Sequence, residues 1–191
     1  STSIPLYEIS KKNQEMKFID LCSAPGGKAF QILSKNNNVT LNDKNKERIE
    51  MLKVNLKRLK LNPKIMNFDV MDMKITEKYD FIIIDAPCSS VGTIRRNPEI
   101  FFKNKKPDLI KLIELQQKML EKASFILNEN GVILYMVCSF LESETSNQIE
   151  IFLERNKNFY INNFYLNKNN KHYNKFIKDN RMLIIPSKLN N

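Results

Sequence analysis

The sequence predicts one α/β domain built on a mostly parallel sheet with helices on both faces. Short apolar segments rich in β-branched and aromatic residues alternate with longer segments of helical periodicity. The apolar segment from Tyr79 to Asp85 is continuous, which is typical of a strand buried on both faces of a parallel sheet. The length of 191 residues, 42% of them hydrophobic, is enough for one core of ordinary size.

The first half of the chain alternates strands with helices. Strands are predicted over residues 17–22, 39–43, 64–68 and 79–85. Helices are predicted over 28–35, after the break at Gly26 and Gly27, and over 45–61, before Pro63. The second helix has apolar residues at three- and four-residue spacing, which gives it one apolar face: Ile49, Leu52, Leu56 and Leu59.

The second half begins with a long connection over residues 86–107, rich in Pro, Arg, Lys and Asn, and connections of this length are usually functional. A helix is predicted over 109–127, and the following Asn130-Gly131 pair is expected to stop it. The remaining predictions are a buried strand over 132–137, a helix over 142–156, weaker strands over 159–166 and 182–185, and a polar insertion over 167–180. We predict a single domain over 1–191, with a lead-in over 1–16 and a basic, Asn- and Lys-rich part over 156–191.

Charge favours a polyanionic partner. Lys and Arg number 31 against 21 acids, a net charge of +10, and a solvated lysine-rich surface is the alternative explanation. No apolar segment is long enough for a transmembrane helix, so no membrane partner is expected. The first residues do not resemble a signal peptide, although a chain that opens without Met leaves a trimmed targeting segment open.

Three widely spaced cysteines, Cys22, Cys88 and Cys138, do not form a disulfide framework. They predict an intracellular, reducing compartment, with cytoplasm, nucleolus and organelle all open. Their spacing does not favour zinc, so no metal is expected. The only histidine, His172, lies in the polar C-terminal part, which disfavours a Ser-His-Asp or Cys-His centre.

Polar side chains collect at the ends of the predicted strands. Asp43, Asp85 and Cys138 end strands, and Asp69 follows the third strand. The first strand leads into the turn Cys22–Lys28. Because ligands of open parallel sheets bind beyond the carboxyl ends of the strands, these residues predict one site.

The turn favours a nucleoside ligand without a phosphate. Its two glycines let a ligand approach the backbone, but their spacing matches neither a dinucleotide-binding motif nor a P-loop. Asp43 is placed to accept ribose hydroxyls, Asp69 to accept an adenine amino group, and Asp85 to face an ammonium or sulfonium charge. S-Adenosylmethionine meets all of these requirements.

Three motifs carry a family resemblance. They are Asp20–Lys28 (DLCSAPGGK), Asp85–Ser89 (DAPCS) with the following Val91–Glu99 (VGTIRRNPE), and Val137–Ser139 (VCS). They resemble the RNA cytosine 5-methyltransferases of the Fmu/Sun (NOL/NOP/Sun) family, and most closely the bacterial branch that acts on small-subunit rRNA. The match runs from about Phe18 to Leu153 and covers the catalytic core.

The resemblance implies a Rossmann-like methyltransferase fold that uses S-adenosylmethionine and releases S-adenosylhomocysteine. It implies methyl transfer to carbon 5 of a cytosine in RNA through a covalent cysteine–cytosine adduct. By similarity Cys138 is the attacking thiol, Cys88 assists product release, and Asp85 contacts the cytosine or the cofactor. A competing assignment stays open, because Pro87-Cys88 is also similar to the motif of the attacking cysteine in DNA cytosine methyltransferases.

The resemblance also assigns binding residues. The predicted cofactor residues are Cys22, Ser23, Ala24, Pro25, Gly26, Gly27, Lys28, Asp43, Arg48, Asp69 and Asp85, with the Cys22 side chain structural. Arg95 and Arg96 are expected to face RNA phosphates.

The sequence departs from the family pattern at several places. Ser23 replaces an alanine, and Ser143 and Thr145 stand where the family tends to have Glu and Asn. Val137 replaces a threonine, and the segment 181–186 resembles the approach to a final strand that does not follow. The expected partner is RNA, which the resemblance implies is rRNA, and a monomer is favoured. A catalytically impaired RNA-binding scaffold and an enzyme acting on tRNA or DNA are the alternatives.

Overall fold

The structure is a computed structural model that describes residues 16–36, 38–72, 76–102, 107–162, 177–178 and 181–182. The strands are β1 (Phe18–Asp20), β2 (Val39–Asn42), β3 (Lys64–Met66), β4 (Tyr79–Asp85), β5 (Leu127–Met136), β6 (Ile177–Lys178) and β7 (Arg181–Met182). The helices are α1 (Ala29–Leu33), α2 (Lys46–Leu59), α3 (Leu109–Ile126) and α4 (Ser146–Arg155). Three single 3₁₀ turns cover Val91–Thr93, Pro98–Phe101 and Glu142–Glu144.

The described residues fall into two compact units, and each is described by itself. The sheet unit contains the residues up to Ala86 together with 117–136. The cysteine unit contains residues 87–116 and those from Val137 onward. The prediction of a single domain over 1–191 stays a prediction.

The sheet unit is built on five parallel strands in the order β3-β2-β1-β4-β5. Phe18 of β1 pairs with Val39 on one side and with Phe81 on the other, so β1 is central. Helices connect β1 to β2, β2 to β3 and β4 to β5, whereas no helix is described between β3 and β4. This arrangement confirms the predicted α/β class with a parallel sheet.

The core of the sheet unit comes from the continuous apolar strands and from one face of each helix. Ile82, Ile83 and Ile84 are completely buried in β4, which therefore has the bounds that its apolar run predicts. In α2 the apolar face buries Ile49, Leu52 and Leu56. The helix is capped by Asn45, whose side chain accepts a hydrogen bond from the backbone N–H of Arg48.

The predicted helix over 109–127 is confirmed to within one residue, but the expectation that Asn130-Gly131 ends it is wrong. Helix α3 ends at Ile126 and β5 begins at Leu127. Tyr79 pairs with Leu127 but Phe81 pairs with Val132, so four residues of β5 bulge out between these pairs. Asn130 has φ of 61° in this bulge. The Asn-Gly pair is typical of a turn, and in this structure the turn lies in the bulge of β5 and not at the end of α3.

The predicted helix over 142–156 is also interrupted. A 3₁₀ turn at Glu142–Glu144 precedes α4, and Thr145 between them has φ of −121° and ψ of −99°. Its hydroxyl donates to the backbone oxygen of Leu141, which stabilises the break.

Two late predictions lie partly outside the described residues. Of the strand predicted over 159–166, residues 159–162 are described and are not a strand. Of the insertion over 167–180, only Ile177–Lys178 is described, and it pairs antiparallel with Arg181–Met182. Of the strand predicted over 182–185, only Met182 is described, and the rest lies outside. Within the described ranges, every helix is too short or too polar to cross a bilayer.

Candidate active site

The glycine turn after β1 depends on Gly26. This residue has φ of +112°, and an added Cβ would lie 2.1 Å from the ring of Phe30. At Gly27 an added Cβ would meet no described atom within 4 Å. Gly26 is therefore required by the fold, whereas Gly27 leaves one side of the turn backbone accessible to a ligand.

Replacing these two glycines is expected to separate folding from binding. Gly26→Ala should lower the free energy of unfolding by at least about 2 kcal/mol, because it combines backbone strain with a steric clash. Gly27→Ala should change it by less than about 1 kcal/mol. Urea denaturation of both variants measures the difference, and equal losses would contradict this account of the turn.

Asn42 fixes the strand ends that carry the turn, and sequence reasoning gave it no role. Its Nδ2 donates to the carbonyls of Leu21, at 3.1 Å, and Phe68, at 3.2 Å. Its Oδ1 accepts from the backbone N–H of Phe68, and its own carbonyl accepts from Ser23 N at 2.8 Å. A buried amide with these partners holds the ends of β1 and β2 and the segment after β3 in one arrangement.

Asp43 is held beside the turn by backbone donors. One carboxylate oxygen accepts from Ala24 N at 3.2 Å and the other from Asn45 N at 2.9 Å. Arg48 lies 3.6 Å from the same carboxylate and donates to the carbonyl of Ala24. Each carboxylate oxygen has a second lone pair, so this geometry leaves acceptor capacity for ligand hydroxyls.

Lys28 and Asp85 form an ion pair within the sheet unit. Both side chains are largely buried, at 16% and 29% exposed. The sequence predicted both as cofactor residues without predicting that they pair. Asp69, after β3, is partly exposed; its carboxylate accepts from Met71 N and lies 3.8 Å from Lys44 Nζ.

Asp20, at the end of β1, is a site residue that sequence reasoning left without a role. It is 1% exposed, its Oδ1 accepts from Cys22 N at 3.1 Å, and its Oδ2 has no hydrogen-bond partner among the described residues. Burial raises the pKa of this carboxyl to about 7. The hydrogen bond from Cys22 N lowers the pKa, and the negative charge of Asp85 raises it further. The motif contained the signal, since Asp20 opens it, but burial could not be read from the sequence.

This buried carboxyl makes stability depend on pH. Between pH 3.8, the ordinary pKa, and about 7, the folded chain holds a proton that the unfolded chain releases. The free energy of unfolding therefore falls as pH rises through this window. Asp20→Asn mimics the protonated carboxyl and does not titrate. The free energy of unfolding of this variant, relative to that of the unsubstituted chain, should therefore increase by roughly 2–3 kcal/mol from pH 5 to pH 8. Denaturation at both pH values measures the gain, and a pH-independent difference would contradict the assignment.

Cys22 fits the structural role expected for its side chain. Burial raises the pKa of its thiol, and the charges of Asp20, Asp43 and Asp85 raise it further. The thiol is therefore neutral at physiological pH and a weak nucleophile.

The cysteine unit brings Cys88 and Cys138 together. The backbone N–H of Cys138 donates to Cys88 Sγ at 3.3 Å, and Ser90 Oγ lies 3.8 Å from the same sulfur. Burial raises the pKa of the Cys88 thiol, and hydrogen bonds from Ser90 and from Cys138 oppose this. The backbone N–H of Gly92 donates to the Cys138 carbonyl at 3.0 Å, and an added Cβ at Gly92 would lie 3.1 Å from that oxygen.

A buried polar cluster adjoins the two cysteines, and sequence reasoning gave none of its members a role. It consists of Ser89, Gln116, Ser139 and Glu144, each at most 9% exposed. Arg95 and Arg96 are exposed after the 3₁₀ turn Val91–Thr93, and their contact with RNA stays a prediction.

Comparison with known proteins decides the family. The family model described as 16S rRNA methyltransferase RsmB/F matches residues 7–191. The chain belongs to this family. The resemblance of its motifs to the bacterial small-subunit rRNA branch is thereby confirmed.

Relatives in the RsmB/F family extend beyond this chain. Ribosomal RNA small subunit methyltransferase B of Photorhabdus laumondii is 35% identical over 153 residues, which cover 78% of this chain and 36% of that protein. The chain thus spans about a third of the length of the curated relatives it matches.

Solved structures confirm the Rossmann-like methyltransferase form of the fold. The crystal structure of PH0851 has a TM-score of 0.74 at 29% identity and covers 80% of this chain and 36% of that one. A methyltransferase homolog protein from Pyrococcus horikoshii has a TM-score of 0.59 at 27% identity, covering 73% and 45%. The roles of the individual site residues stay predictions.

Proposed function

We propose that this chain is the catalytic core of an rRNA methyltransferase that transfers a methyl group from S-adenosylmethionine to carbon 5 of a cytosine. The observation that carries the proposal is the contact of Cys88 Sγ with the backbone of Cys138, in a chain of the RsmB/F family. Methylation of cytosine at carbon 5 requires covalent activation by a thiol. Here two cysteines are neighbours, with the sulfur of Cys88 3.3 Å from the backbone nitrogen of Cys138.

The residues of the sheet unit fit the cofactor. Asp20 offers a buried carboxylate oxygen without a partner, suited to a ligand ammonium, and Gly27 leaves the turn backbone accessible. Asp43 offers acceptors for ribose hydroxyls. When bound, the cofactor supplies an electrophilic methyl group.

Cys138 is proposed as the nucleophile. Its thiolate forms a bond to carbon 6 of cytosine, and the electrons of the 5,6 double bond make carbon 5 nucleophilic. After carbon 5 is methylated, its proton is removed, the carbon–sulfur bond breaks, the double bond reforms and the thiolate leaves. Asp85 is proposed to contact the pyrimidine or the cofactor, with Lys28 holding its carboxylate.

Cys88 is proposed to assist release. A thiol whose pKa is raised by burial is mostly protonated at neutral pH, which disfavours it as the attacking thiolate. Its hydrogen bond from Cys138 N places it beside the nucleophile, where it can assist release of the product.

RNA is the proposed substrate, because the matched relative is named for the small ribosomal subunit and this chain carries a net charge of +10. Arg95 and Arg96 are exposed and suited to phosphate contacts. The target cytosine must be unstacked to reach a thiol, which favours loops and single strands. An intracellular, reducing location suits the three free thiols, and a monomer remains our expectation.

Transfer of labelled methyl groups tests this function. The chain is incubated with labelled S-adenosylmethionine and either bacterial 16S rRNA, tRNA or DNA. Label in 16S rRNA above the other two is expected. Label in tRNA or DNA alone would reassign the substrate, and cofactor binding without transfer to any of them would support the scaffold alternative.

A further inference from the structure

The residue that follows Cys88 is held by a buried acid. Glu144, in the 3₁₀ turn before α4, is 0% exposed. One of its carboxylate oxygens accepts from Ser89 N at 2.8 Å, and the other accepts from Ser89 Oγ. The Glu144 carboxylate thus binds both the backbone N–H and the side-chain hydroxyl of Ser89. Hydrogen bonds to a charged acceptor are stronger than those between neutral groups.

The residue that precedes Cys88 is held by the same cluster. Gln116 of α3 donates through Nε2 to the carbonyl of Pro87 at 2.9 Å and to Glu144 at 3.1 Å. Gln116 is also 0% exposed. Both neighbours of Cys88 in the chain are therefore fixed by buried hydrogen bonds, and the two anchors are bonded to each other.

The cluster continues to the residue that follows Cys138. Ser89 Oγ and Ser139 Oγ lie 3.3 Å apart, and Ser139 Oγ accepts from the backbone N–H of Leu141 at 3.1 Å. Burial alone raises the pKa of Glu144, but hydrogen bonds from Ser139, Ser89 and Gln116 outweigh it and hold the pKa below its usual range. The acid is therefore ionised and acts as an acceptor for all of its partners.

We propose that Glu144 is a positioning residue that ties the Cys88 segment to the Cys138 segment and so maintains the contact of Cys88 Sγ with Cys138 N. The inference rests on the proposed roles of the two thiols. Among the described residues three connections join the segments: the direct hydrogen bond at the sulfur, the backbone hydrogen bond from Gly92 N to the Cys138 carbonyl, and the buried Glu144–Ser89–Ser139 link. Without the buried link, the position of Cys88 Sγ against Cys138 N depends on a sulfur hydrogen bond, which is weak, and on a backbone hydrogen bond made four residues further along the chain at Gly92.

Thiol reactivity tests the inference without RNA or cofactor. Alkylation of Cys88 by iodoacetamide is followed against pH by mass spectrometry in the full chain, for the unsubstituted protein and for Glu144→Gln. Cys88 faces the titratable thiol of Cys138, and losing the Cys138 N–H bond disfavours its thiolate. The alkylation midpoint should therefore rise by about half a pH unit or more.

The sign of this shift separates the alternatives. Removing a nearby negative charge, with no change in position, would favour the thiolate and lower the midpoint. An unchanged or lowered midpoint would overturn the proposal. Glu142→Gln is the matched control, because it removes an exposed charge from the same 3₁₀ turn and should leave the midpoint unchanged.

Ser89→Ala keeps the test decisive if Glu144→Gln does not fold. It removes the hydroxyl that joins Glu144 to Ser139, so it should raise the midpoint in the same direction, and no rise would overturn the proposal. In methyl transfer, Glu144→Gln should lower kcat about tenfold or more with unchanged cofactor affinity. If the unsubstituted chain methylates no RNA, the proposed function fails, while the alkylation midpoints still decide whether Glu144 positions Cys88.

Discussion

Replacing Cys138 by alanine is expected to reduce methyl transfer to RNA by at least about a thousandfold. The substitution removes the sulfur that is proposed to activate carbon 5, and the neighbouring thiol of Cys88 is assigned to product release instead. Cys138 lies two residues after the end of β5, and its backbone is held by hydrogen bonds to Cys88 Sγ and from Gly92. Single-turnover transfer of labelled methyl from S-adenosylmethionine to 16S rRNA measures the loss.

Cofactor affinity is the internal control for this variant. The cofactor residues lie in the sheet unit, and Cys138 belongs to the cysteine unit, so titration with S-adenosylmethionine should give the same Kd for both proteins. Normal turnover by Cys138→Ala would show that the nucleophile is assigned wrongly. A parallel loss of binding and transfer would show a folding defect instead.

Replacing Cys88 by alanine is expected to trap a covalent complex of protein and RNA. In this variant Cys138 can still attack and carbon 5 can still be methylated, but the step that releases the product loses its thiol. A band of protein bound to RNA should therefore persist on a denaturing gel and disappear when Cys138→Ala is added to the same chain. Sequencing the attached RNA identifies the target cytosine.

The same gel distinguishes the two assignments of the cysteines. If Pro87-Cys88 carries the nucleophile, as the resemblance to DNA cytosine methyltransferases would have it, Cys138→Ala would accumulate the adduct and Cys88→Ala would not. The raised pKa of Cys88 argues against that arrangement.

The sheet could be predicted from sequence because its signals are local. Strand β4 is a continuous apolar segment, and its predicted bounds are those observed. Helix α2 has a regular apolar face and an Asn45 cap, so its bounds differ from prediction by one residue at the start and two at the end. The residues that stop α3 were predicted wrongly from a local signal, because the Asn130-Gly131 turn forms a bulge within β5 and does not stop the helix.

Only those site residues that stand in a recognisable sequence pattern could be predicted. Gly26 and the two cysteines stand in motifs, and Asp43 stands at the end of a strand, with a chemical reason for each residue. Glu144 and Asn42 have no such signal, because an isolated acid in a turn and an amide at a strand end look ordinary until burial is known. Most of their partners are separated from them by 19 to 55 positions in the chain, so only the folded structure shows these hydrogen bonds.

Release of the hydrogen on carbon 5 tests the central claim most directly. Methylation of that carbon must expel its hydrogen, so 16S rRNA carrying tritium at carbon 5 of cytosine is incubated with the chain and S-adenosylmethionine. The account predicts one tritium in water for each methyl group incorporated, and neither event with Cys138→Ala. Methyl groups incorporated without tritium release would contradict it, because they would lie on another atom.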